Sequence, residues 1–406
     1  MLEVLTNRVF AKLFAAQVIA LLGTGLLTVA LGLLAYDLAG GDAGVVLATA
    51  LTIKMLAYVG MAPVMTALAA RVPRKAVLVT ADMVRAGMAL SLPFVTEVGQ
   101  IYALVFLLQS ASATFTPTFQ AVIPDVLPDE SRYTRALSLS RTAYDLESLI
   151  SPVLAAALLT VMPGNNLFVG TAAGFAASTL LVLTTRLPTS RTGDGAPFSE
   201  RLTRGVRAFG RTPELRSLAA MNLVVATSIA MVIVNSVVLV RGDLGRPAGD
   251  VAVLLACYGA GSMIVALLLP RVLERQPEHS VLLAGAGLAP VALAGTALCL
   301  RAEHFPALLA SWFLLGAAGS LILTPSSRLI RRASDEQNRT AVFAAQFSLS
   351  HGCFMITYPL AGTLGATIGL SATALVLSGI GTVGAIVAFV VRKPRAQVKP
   401  QLIRAH

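Results

Sequence analysis

Three charged side chains lie in one long apolar stretch of the chain, residues 137–158. They are Arg141, Asp145 and Glu147, and all three lie in its first half, where nothing breaks the helical pattern. If the segment crosses a bilayer, each charge costs roughly 2.5–3.5 kcal/mol at the helix centre, so such charges usually face a bundle interior or a water-filled path and move ions or protons. Arg141 and Asp145 are four residues apart and can pair. Glu147 points elsewhere, so it needs another partner or a proton.

Two further charged clusters lie in apolar runs. Lys54 is near the middle of the second run, and Asp82 and Arg85 are three residues apart in the third. These charges could neutralise one another and simply hold helices together. Alternatively, a desolvated carboxyl group can release its proton when a substrate binds. We predict a proton-coupling group made of Asp145, Glu147, Arg141, Asp82 and Arg85.

Polar and aromatic side chains at depth are candidates for a substrate site, although they could equally bridge or pack helices. His351 could be a packed histidine, a second proton site or, with Cys353, a soft-metal contact. A lone His-x-Cys is weak evidence for a metal, so we predict neither metal nor cofactor. The predicted substrate-binding residues are Lys54, Gln17, Gln109, Phe115, Tyr144, Gln346 and His351.

The composition excludes a set of soluble domains. Of the 406 residues, 56% are hydrophobic and 13% are charged, which leaves too little polar surface to cover soluble globules. The three cysteines lie in apolar runs without zinc-type spacing, so paired disulfides are not expected. There is no GxxxxGK[ST] loop, serine elbow or HExxH motif. We therefore predict that the chain is neither an enzyme nor an ATP-driven pump.

Twelve runs are long enough to span a bilayer, which takes about 20 apolar residues. The first run is too long for a signal peptide and indicates a retained helix. The polar segment 187–213 separates a first six-helix unit (1–186) from a second one (214–406), which ends in a short basic tail. The predicted spans are 9–38, 43–70, 75–97, 99–123, 133–161, 164–186, 214–240, 248–270, 279–300, 305–327, 339–362 and 367–391.

Basic residues fix the predicted orientation, because Lys and Arg concentrate on the cytoplasmic side. With the N-terminus in the cytoplasm, all but six of the 31 basic residues fall on that side. The net charge of +11 is thus a topology signal, and anionic lipid rather than nucleic acid is the expected partner of the linker. The six exceptions are Arg241, Arg246 and Arg301 outside, and Lys54, Arg85 and Arg141 within the membrane.

The two halves resemble each other. The run LLQSASATFTP (107–117) matches LLGAAGSLILTP (314–325), and Asp129-Glu130 and Asp335-Glu336 follow at a similar distance. Ser151-Pro152 and Tyr358-Pro359 repeat the same offset of about 207 residues. Repeats of six spans, with substrate held between the halves, are a transporter design. We predict an all-α membrane protein of twelve helices in two bundles related by a pseudo-two-fold axis.

The chain resembles the major facilitator superfamily along essentially its whole length. In the loop TALAARVPRKAVL (66–78), Arg71, Arg74 and Lys75 match the basic positions of that family's first signature, G-x-L-A-D-R-x-G-R-R/K. Ala70 stands where the signature has Asp, a carboxylate that in the family helps to lock one conformation. The resemblance implies that these three basic residues belong to a conformational gate, whose carboxylate is either lost here or supplied by another residue.

Ser151-Pro152 stands where exporters of the family carry a Gly-Pro signature, so both residues are added to the predicted gate. The runs ADMVRA, FTPTFQAVIPDVLPDE and SLSRTAYDLE resemble bacterial exporters of siderophores, macrolides and nickel. The resemblance implies proton-driven export by alternating access and does not fix the substrate. We predict that the substrates are small amphipathic organic molecules such as drugs, and that the protein is a monomer in the bacterial inner membrane. Export of metal ions or metal chelates is the alternative. A membrane sensor or scaffold without transport is disfavoured by twelve uninterrupted spans.

Overall fold

The computed structural model describes residues 2–39, 43–188, 196–302 and 304–391, and within these ranges the regular structure is entirely helical. Most of the sequence between turns is Ala, Leu, Val and Gly, and such apolar segments satisfy their backbone groups in a bilayer by forming helices. The α-helices are α1 (Arg8–Ala39), α2 (Ala43–Ala69), α3 (Arg74–Ser91), α4 (Val98–Val126), α5 (Glu130–Leu159), α6 (Asn166–Leu183), α7 (Phe198–Arg211), α8 (Pro213–Val237), α9 (Ala248–Arg275), α10 (Glu278–Arg301), α11 (Phe305–Arg332), α12 (Arg339–Ile368) and α13 (Leu370–Val391).

Ten helices among the described residues are long and apolar enough to cross a membrane. The other two long helices, α5 and α12, have 30 residues each, which is about 45 Å at 1.5 Å per residue and also enough to span. Charged and polar side chains interrupt the apolar sequence of α5 in particular. The all-α membrane fold predicted from the sequence is confirmed, and the helix lengths are consistent with twelve spans.

Successive long helices run in opposite directions, so their connections alternate between two ends of the bundle. The short 3-10 helix Leu2–Thr6, the α2–α3 and α4–α5 connections and α7 all lie at one end, here called the linker side. The opposite end is called the far side. At the linker side the Asp129 carboxylate caps α5, accepting from Ser131 Oγ at 2.7 Å and Arg132 N at 2.8 Å. These hydrogen bonds hold the pKa of Asp129 below its usual value.

Each half has its own apolar core. In the first half, α1–α6, one cluster surrounds Phe10 and Tyr133 near the linker side and another surrounds Phe168. In the second half, α8–α13, the largest cluster surrounds Trp312, whose Nε1 donates to Ser236 Oγ at 2.9 Å. A smaller cluster around Phe343 joins residues of α4, α7, α8, α11 and α12. The halves therefore meet through apolar packing as well as through polar contacts.

Two glycines let α9 and α11 pack backbone to backbone. A Cβ at Gly261 of α9 would overlap the carbonyl of Phe313, and a Cβ at Gly316 of α11 would overlap the carbonyl of Tyr258. Small residues at such crossings are the usual means of close helix packing in membranes. The two helices thus form one tightly joined pair.

The linker helix α7 touches both halves. Its Gly205 lies against the backbone of Ala341 in α12, and a small void beside it is also lined by Pro63 and Thr66 of α2. The helix is strongly amphipathic, with Phe209 buried, Arg201 beside the same void, and Arg207 and Arg211 exposed. The polar segment predicted as a linker therefore contains a packed helix.

Candidate functional site

The charged pair of α5 lies at the contact between the halves. Arg141 Nη2 and Asp145 Oδ1 are 2.9 Å apart, as their four-residue spacing predicts. Arg141 also crosses to the second half, where its Nε and Nη2 donate to Ser262 Oγ of α9 at 3.1 and 3.0 Å. The pair therefore ties α5 to α9 at mid-membrane, and Asp145 is buried there.

Glu147 has a different environment from Asp145. Its Oε1 accepts from Ser151 Oγ at 3.1 Å, one turn further along α5, and its side chain is partly exposed. The opposite charge that acts on it is Lys54 of α2. No ion pair within 4 Å joins Glu147 to any cation in the described part of the chain. Gly25 of α1 makes room here, because a Cβ at that position would overlap the Ser151 side chain.

Lys54 lies beside an aromatic cluster that bridges the halves. Its Nζ is 5.6 Å from the ring centroid of Tyr58, whose hydroxyl donates to Gln109 Oε1 at 2.9 Å. The Tyr58 ring lies 4.8 Å from Phe347 and 4.7 Å from His351, both on α12. Tyr58 is not among the residues predicted from the sequence. The signal that could have found it is its spacing of four from Lys54, which puts both on one face of α2.

His351 is part of this cluster. Its Nδ1 is 2.7 Å from the carbonyl oxygen of Phe347, so in the neutral form Nδ1 carries the proton and donates, leaving Nε2 as an acceptor. Its ring packs against Phe347 and Phe354, with centroids 4.2 and 5.8 Å away. Among the described residues, no group of three or more His, Cys, Asp or Glu side chains could hold a metal ion.

The structure brings some predicted substrate residues together and not others. Gln17 accepts from Ser140 Oγ at 3.0 Å and lies within reach of the Tyr144 hydroxyl, near Glu147 and Tyr58. The Tyr144 side chain is 37% exposed. Gln346 instead forms a reciprocal amide pair with Asn222 of α8, at 3.1 and 2.8 Å. That pair uses both ends of the Gln346 amide to join α8 and α12.

Asp82 and Arg85 form a separate, dry pair inside the first half. They are bonded to each other, and Ser178 Oγ of α6 donates to Asp82 Oδ2 at 2.7 Å. The Arg85 guanidinium lies between the rings of Phe115 and Phe175, 4.3 and 4.4 Å from their centroids. Both charges are buried. This arrangement joins α3, α4 and α6, and it places Phe115 in that packing rather than beside Lys54.

Ionic contacts between the halves close the linker side. Asp125, at the end of α4, binds Arg74 of α3 through one oxygen and Arg339 of α12 through the other. Arg74 Nη2 also donates to the carbonyl oxygen of Glu336 at 3.3 Å. Asp125 thus places a carboxylate beside Arg74, one of the predicted gate residues, although Ala70 replaces the signature Asp. The sequence signal that could have indicated Asp125 is its position two residues after the predicted span 99–123.

The remaining predicted gate residues have different positions. Lys75 Nζ donates to the carbonyl oxygens of Leu183 and Thr185, at 2.6 and 2.9 Å, and so closes the end of α6 within the first half. Arg71 is exposed. Ser151 donates a hydrogen bond to Glu147. Pro152 lies within α5, and its side chain is outside the described part of the structure.

A second ionic group lies beside the first. Arg328 Nη2 of α11 is 2.6 Å from Glu130 Oε1 of α5, and its Nη1 donates to Thr134 Oγ1 at 2.7 Å. Arg332 contacts the same Glu130 oxygen. The Tyr133 hydroxyl donates to the carbonyl oxygen of Ser327 at 3.2 Å. These contacts join residues about 200 positions apart, and sequence reasoning missed them.

Known proteins are similar to this chain in sequence. The Bacillus subtilis MFS-type transporter YfiS, itself uncharacterised, is 23% identical over 334 residues, which cover 79% of this chain and 78% of that protein. Macrolide efflux protein A of Streptococcus pyogenes is 24% identical over 184 residues, covering 44% of this chain and 45% of that one.

Solved structures agree at the level of the fold. A bacterial homologue of the iron transporter ferroportin, in an outward-facing state, superposes with a TM-score of 0.80 at 13% identity, covering 94% of this chain and 99% of that chain. A human organic anion transporter gives 0.79 at 14% identity with the same coverage. The sequence model of the Major Facilitator Superfamily matches residues 13–238 and 218–405. The chain belongs to the major facilitator superfamily.

Proposed function

We propose that this transporter exports small amphipathic organic molecules in exchange for protons, by alternating access. The observation that carries the proposal is Glu147. Its carboxyl group lies in a membrane helix, is held by the Ser151 hydroxyl, and faces the Lys54 ammonium without a described ion pair closer than 4 Å. A carboxyl group with one hydrogen bond and a distant counter-charge can gain or lose a proton without breaking a structural pair.

The surroundings of Lys54 support an amphipathic substrate. Tyr58, Phe347 and Phe354 offer aromatic faces, while Lys54 and Glu147 offer opposite charges at one end of them. Protonation of Glu147 leaves the Lys54 charge uncompensated, and ionisation restores neutrality. Substrate and proton can then favour different states, since each shifts the equilibrium by its differential affinity for the two conformations.

The contacts between the halves support a state sealed at the linker side. They run from mid-membrane, where Arg141 meets Ser262, to the linker side, where Asp125 meets Arg339. We assign the linker side to the cytoplasm of a bacterial cell, because the basic residues concentrate there. The conformation is then the one that opens outward, as in the bacterial homologue of ferroportin that was solved in an outward-facing state.

The test is neutralisation of Glu147 in reconstituted protein. Purified wild type and Glu147→Gln are placed in liposomes, and transport of a macrolide and two lipophilic fluorescent dyes is followed with and without a pH gradient. Because Gln mimics the protonated carboxyl group, we expect gradient-driven transport to fall to the rate without a gradient, while substrate exchange at equal pH persists.

Two further variants complete this experiment. Glu200→Gln removes an exposed carboxylate that pairs with Arg204 on α7, 3.2 Å away, and should leave gradient-driven transport unchanged. Asp145→Asn tests the neighbouring carboxyl group, which we expect to affect transport through its contact with Arg141. Undiminished proton-driven transport in Glu147→Gln would overturn the role of Glu147, and undiminished transport in both Glu147→Gln and Asp145→Asn would overturn proton coupling through this helix.

A further inference from the structure

The two ionic groups at the linker side have central charges of opposite sign. In the first group a carboxylate, Asp125, lies between two guanidinium groups, with Arg74 from its own half and Arg339 from the other. In the second group two guanidinium groups, Arg328 and Arg332, lie between two carboxylates. Each group therefore contains one counter-charge from the same half and one from the opposite half.

The carboxylates of the second group come from Glu130 and Glu278. Glu130 belongs to the first half and Glu278 begins α10 in the second, the same half as both arginines. Arg328 Nη2 is 2.6 Å from Glu130 Oε1, and Arg332 also bonds to that oxygen. The distances to Glu278 Oε2 are longer, at 3.5 Å from Arg328 Nε and 3.2 Å from Arg332 Nη1.

Glu278 and Arg74 occupy corresponding positions in the two halves. Each is the first residue of its helix, α10 or α3, and each follows a proline, Pro277 or Pro73. In the first half this position carries a cation that pairs with Asp125 of α4. In the second half it carries an anion that pairs with arginines of α11. The second half thus repeats the arrangement with its charges reversed.

Glu278 is incompletely bonded in the sealed conformation. Its side chain is 7% exposed, and neither carboxylate oxygen has a hydrogen-bond partner among the described residues, although both arginines lie nearby. A buried carboxylate gains most when a guanidinium group binds it directly, so this geometry is not the best one available to it. Glu130, from the opposite half, holds the arginines more closely.

We propose that Glu278 becomes the counter-charge of Arg328 and Arg332 when the halves separate at the linker side. It thereby stabilises the state that is open on that side. Parting removes Glu130 from the two guanidinium groups, because it belongs to the other half. Of the two, Arg328 is the buried one, with 10% of its side chain exposed, and a buried charge left without its partner is strongly destabilising. Glu278 moves with the arginines, so it compensates them after Glu130 has gone.

This role gives two identical substitutions opposite effects. Glu130→Gln removes a contact that exists in the sealed state, and it shifts the population towards opening at the linker side. Glu278→Gln removes the counter-charge needed after opening, and it shifts the population towards the sealed state. Glu130 is partly exposed to water and Glu278 is buried, and the ratio of the two states should change by about fivefold or more in each direction.

The experiment measures the distance between two spin labels across the linker side. Val72, in the α2–α3 connection, and Gln337, in the α11–α12 connection, are exposed and are replaced by Cys. The native cysteines at positions 257, 299 and 353 are replaced by Ser. The labelled protein is reconstituted in lipid, and the distance distribution by double electron–electron resonance gives the fractions of short (sealed) and long (open) distances.

The expected result is a larger long-distance fraction in Glu130→Gln and a smaller one in Glu278→Gln. Glu278→Asp keeps the charge and should remain near wild type, as should the surface control Glu200→Gln. The Glu130→Gln/Glu278→Gln double variant should return towards the wild-type ratio. If Glu278→Gln has no effect or shifts the distances in the same direction as Glu130→Gln, the proposal fails, and the double variant decides if Glu278→Gln alone does not fold.

The inference rests on alternating access in the proposed function but not on proton coupling or on any substrate. The label distances are measured without a gradient or ligand. Failure of Glu147 as the coupling residue would therefore leave the shifts at Glu130 and Glu278 intact, and absent shifts would leave the transport result at Glu147 intact.

Discussion

Asp82 and Glu147 are both carboxyl groups in apolar helices of the first half, and their surroundings differ. Asp82 is bonded to Arg85 and Ser178, and the guanidinium is enclosed by two phenyl rings. Neutralising it would leave Arg85 without its counter-charge and would disturb the packing of three helices. Glu147 has one hydroxyl partner and a counter-charge further away. The geometry therefore favours a structural role for Asp82 and supports the proposed coupling role for Glu147.

Removing one member of the dry pair should destabilise the protein. Asp82→Asn leaves Arg85 buried without its counter-charge, and breaking such a pair by removing one partner costs about 3–5 kcal/mol. We expect a lower thermal unfolding temperature in detergent, with gradient-driven transport per folded molecule retained. The double variant Asp82→Leu/Arg85→Met removes both charges and should recover much of the stability. A wild-type unfolding temperature in Asp82→Asn would contradict the structural role.

At this scale the sequence predicted contacts within a helix better than contacts between distant segments. The Arg141–Asp145 pair follows from spacing along α5. Asp125 and Arg339 are 214 residues apart, and no local pattern indicates that they share an ion pair. Phe115 and Gln346 were predicted at the substrate site because they are aromatic or polar at depth, a property that packing residues share.

At the scale of secondary structure, hydropathy predicted the long helices because each needs a continuous apolar run to satisfy its backbone in lipid. The exception is α7. Its polar sequence predicts a connecting segment, and its contacts with α2 and α12 arise only after the two halves meet. Amphipathic periodicity over residues 198–211 was the signal for a helix with a buried face.

The contact of α7 with α12 can be tested at one glycine. Gly205→Leu places a side chain against the backbone of Ala341, where even a Cβ would overlap, so we expect α7 to detach. The detached helix should be cut faster by trypsin at its arginines, which is measured by the rate of appearance of the two half-length fragments. Gly210→Leu makes the same change where no atom lies within 4 Å, and it should be cut at the wild-type rate. Equal rates in both variants would contradict the packing.

At the scale of the whole molecule, the alternation of helix directions places every connection on one of two sides. The structure fixes which connections share a side, and the distribution of Lys and Arg predicts which side is cytoplasmic. The lengths of the apolar runs and their repetition are enough to predict the fold. The conformation could not be predicted from them, because it depends on ionic contacts between halves.

Labelling from outside the cell tests the orientation. Single cysteines are introduced in the cysteine-free protein at Val161, which is 77% exposed on the far side, and at Val72, which is 43% exposed on the linker side. A membrane-impermeant maleimide applied to intact cells should label Val161→Cys and not Val72→Cys. Permeabilised cells should give labelling of both, and the reverse pattern in intact cells would contradict the assignment.

The glycine crossing of α9 and α11 has a mechanical consequence. Gly261 is adjacent to Ser262, which accepts hydrogen bonds from Arg141. Helix α11 carries Arg328 and Arg332 near its C-terminus, at the linker side. Since the two backbones touch, α9 cannot slide past α11 without a clash. We therefore expect the two helices to move as one rigid pair. A displacement of Ser262 by Arg141 would then also displace Arg328 and Arg332 at the linker side.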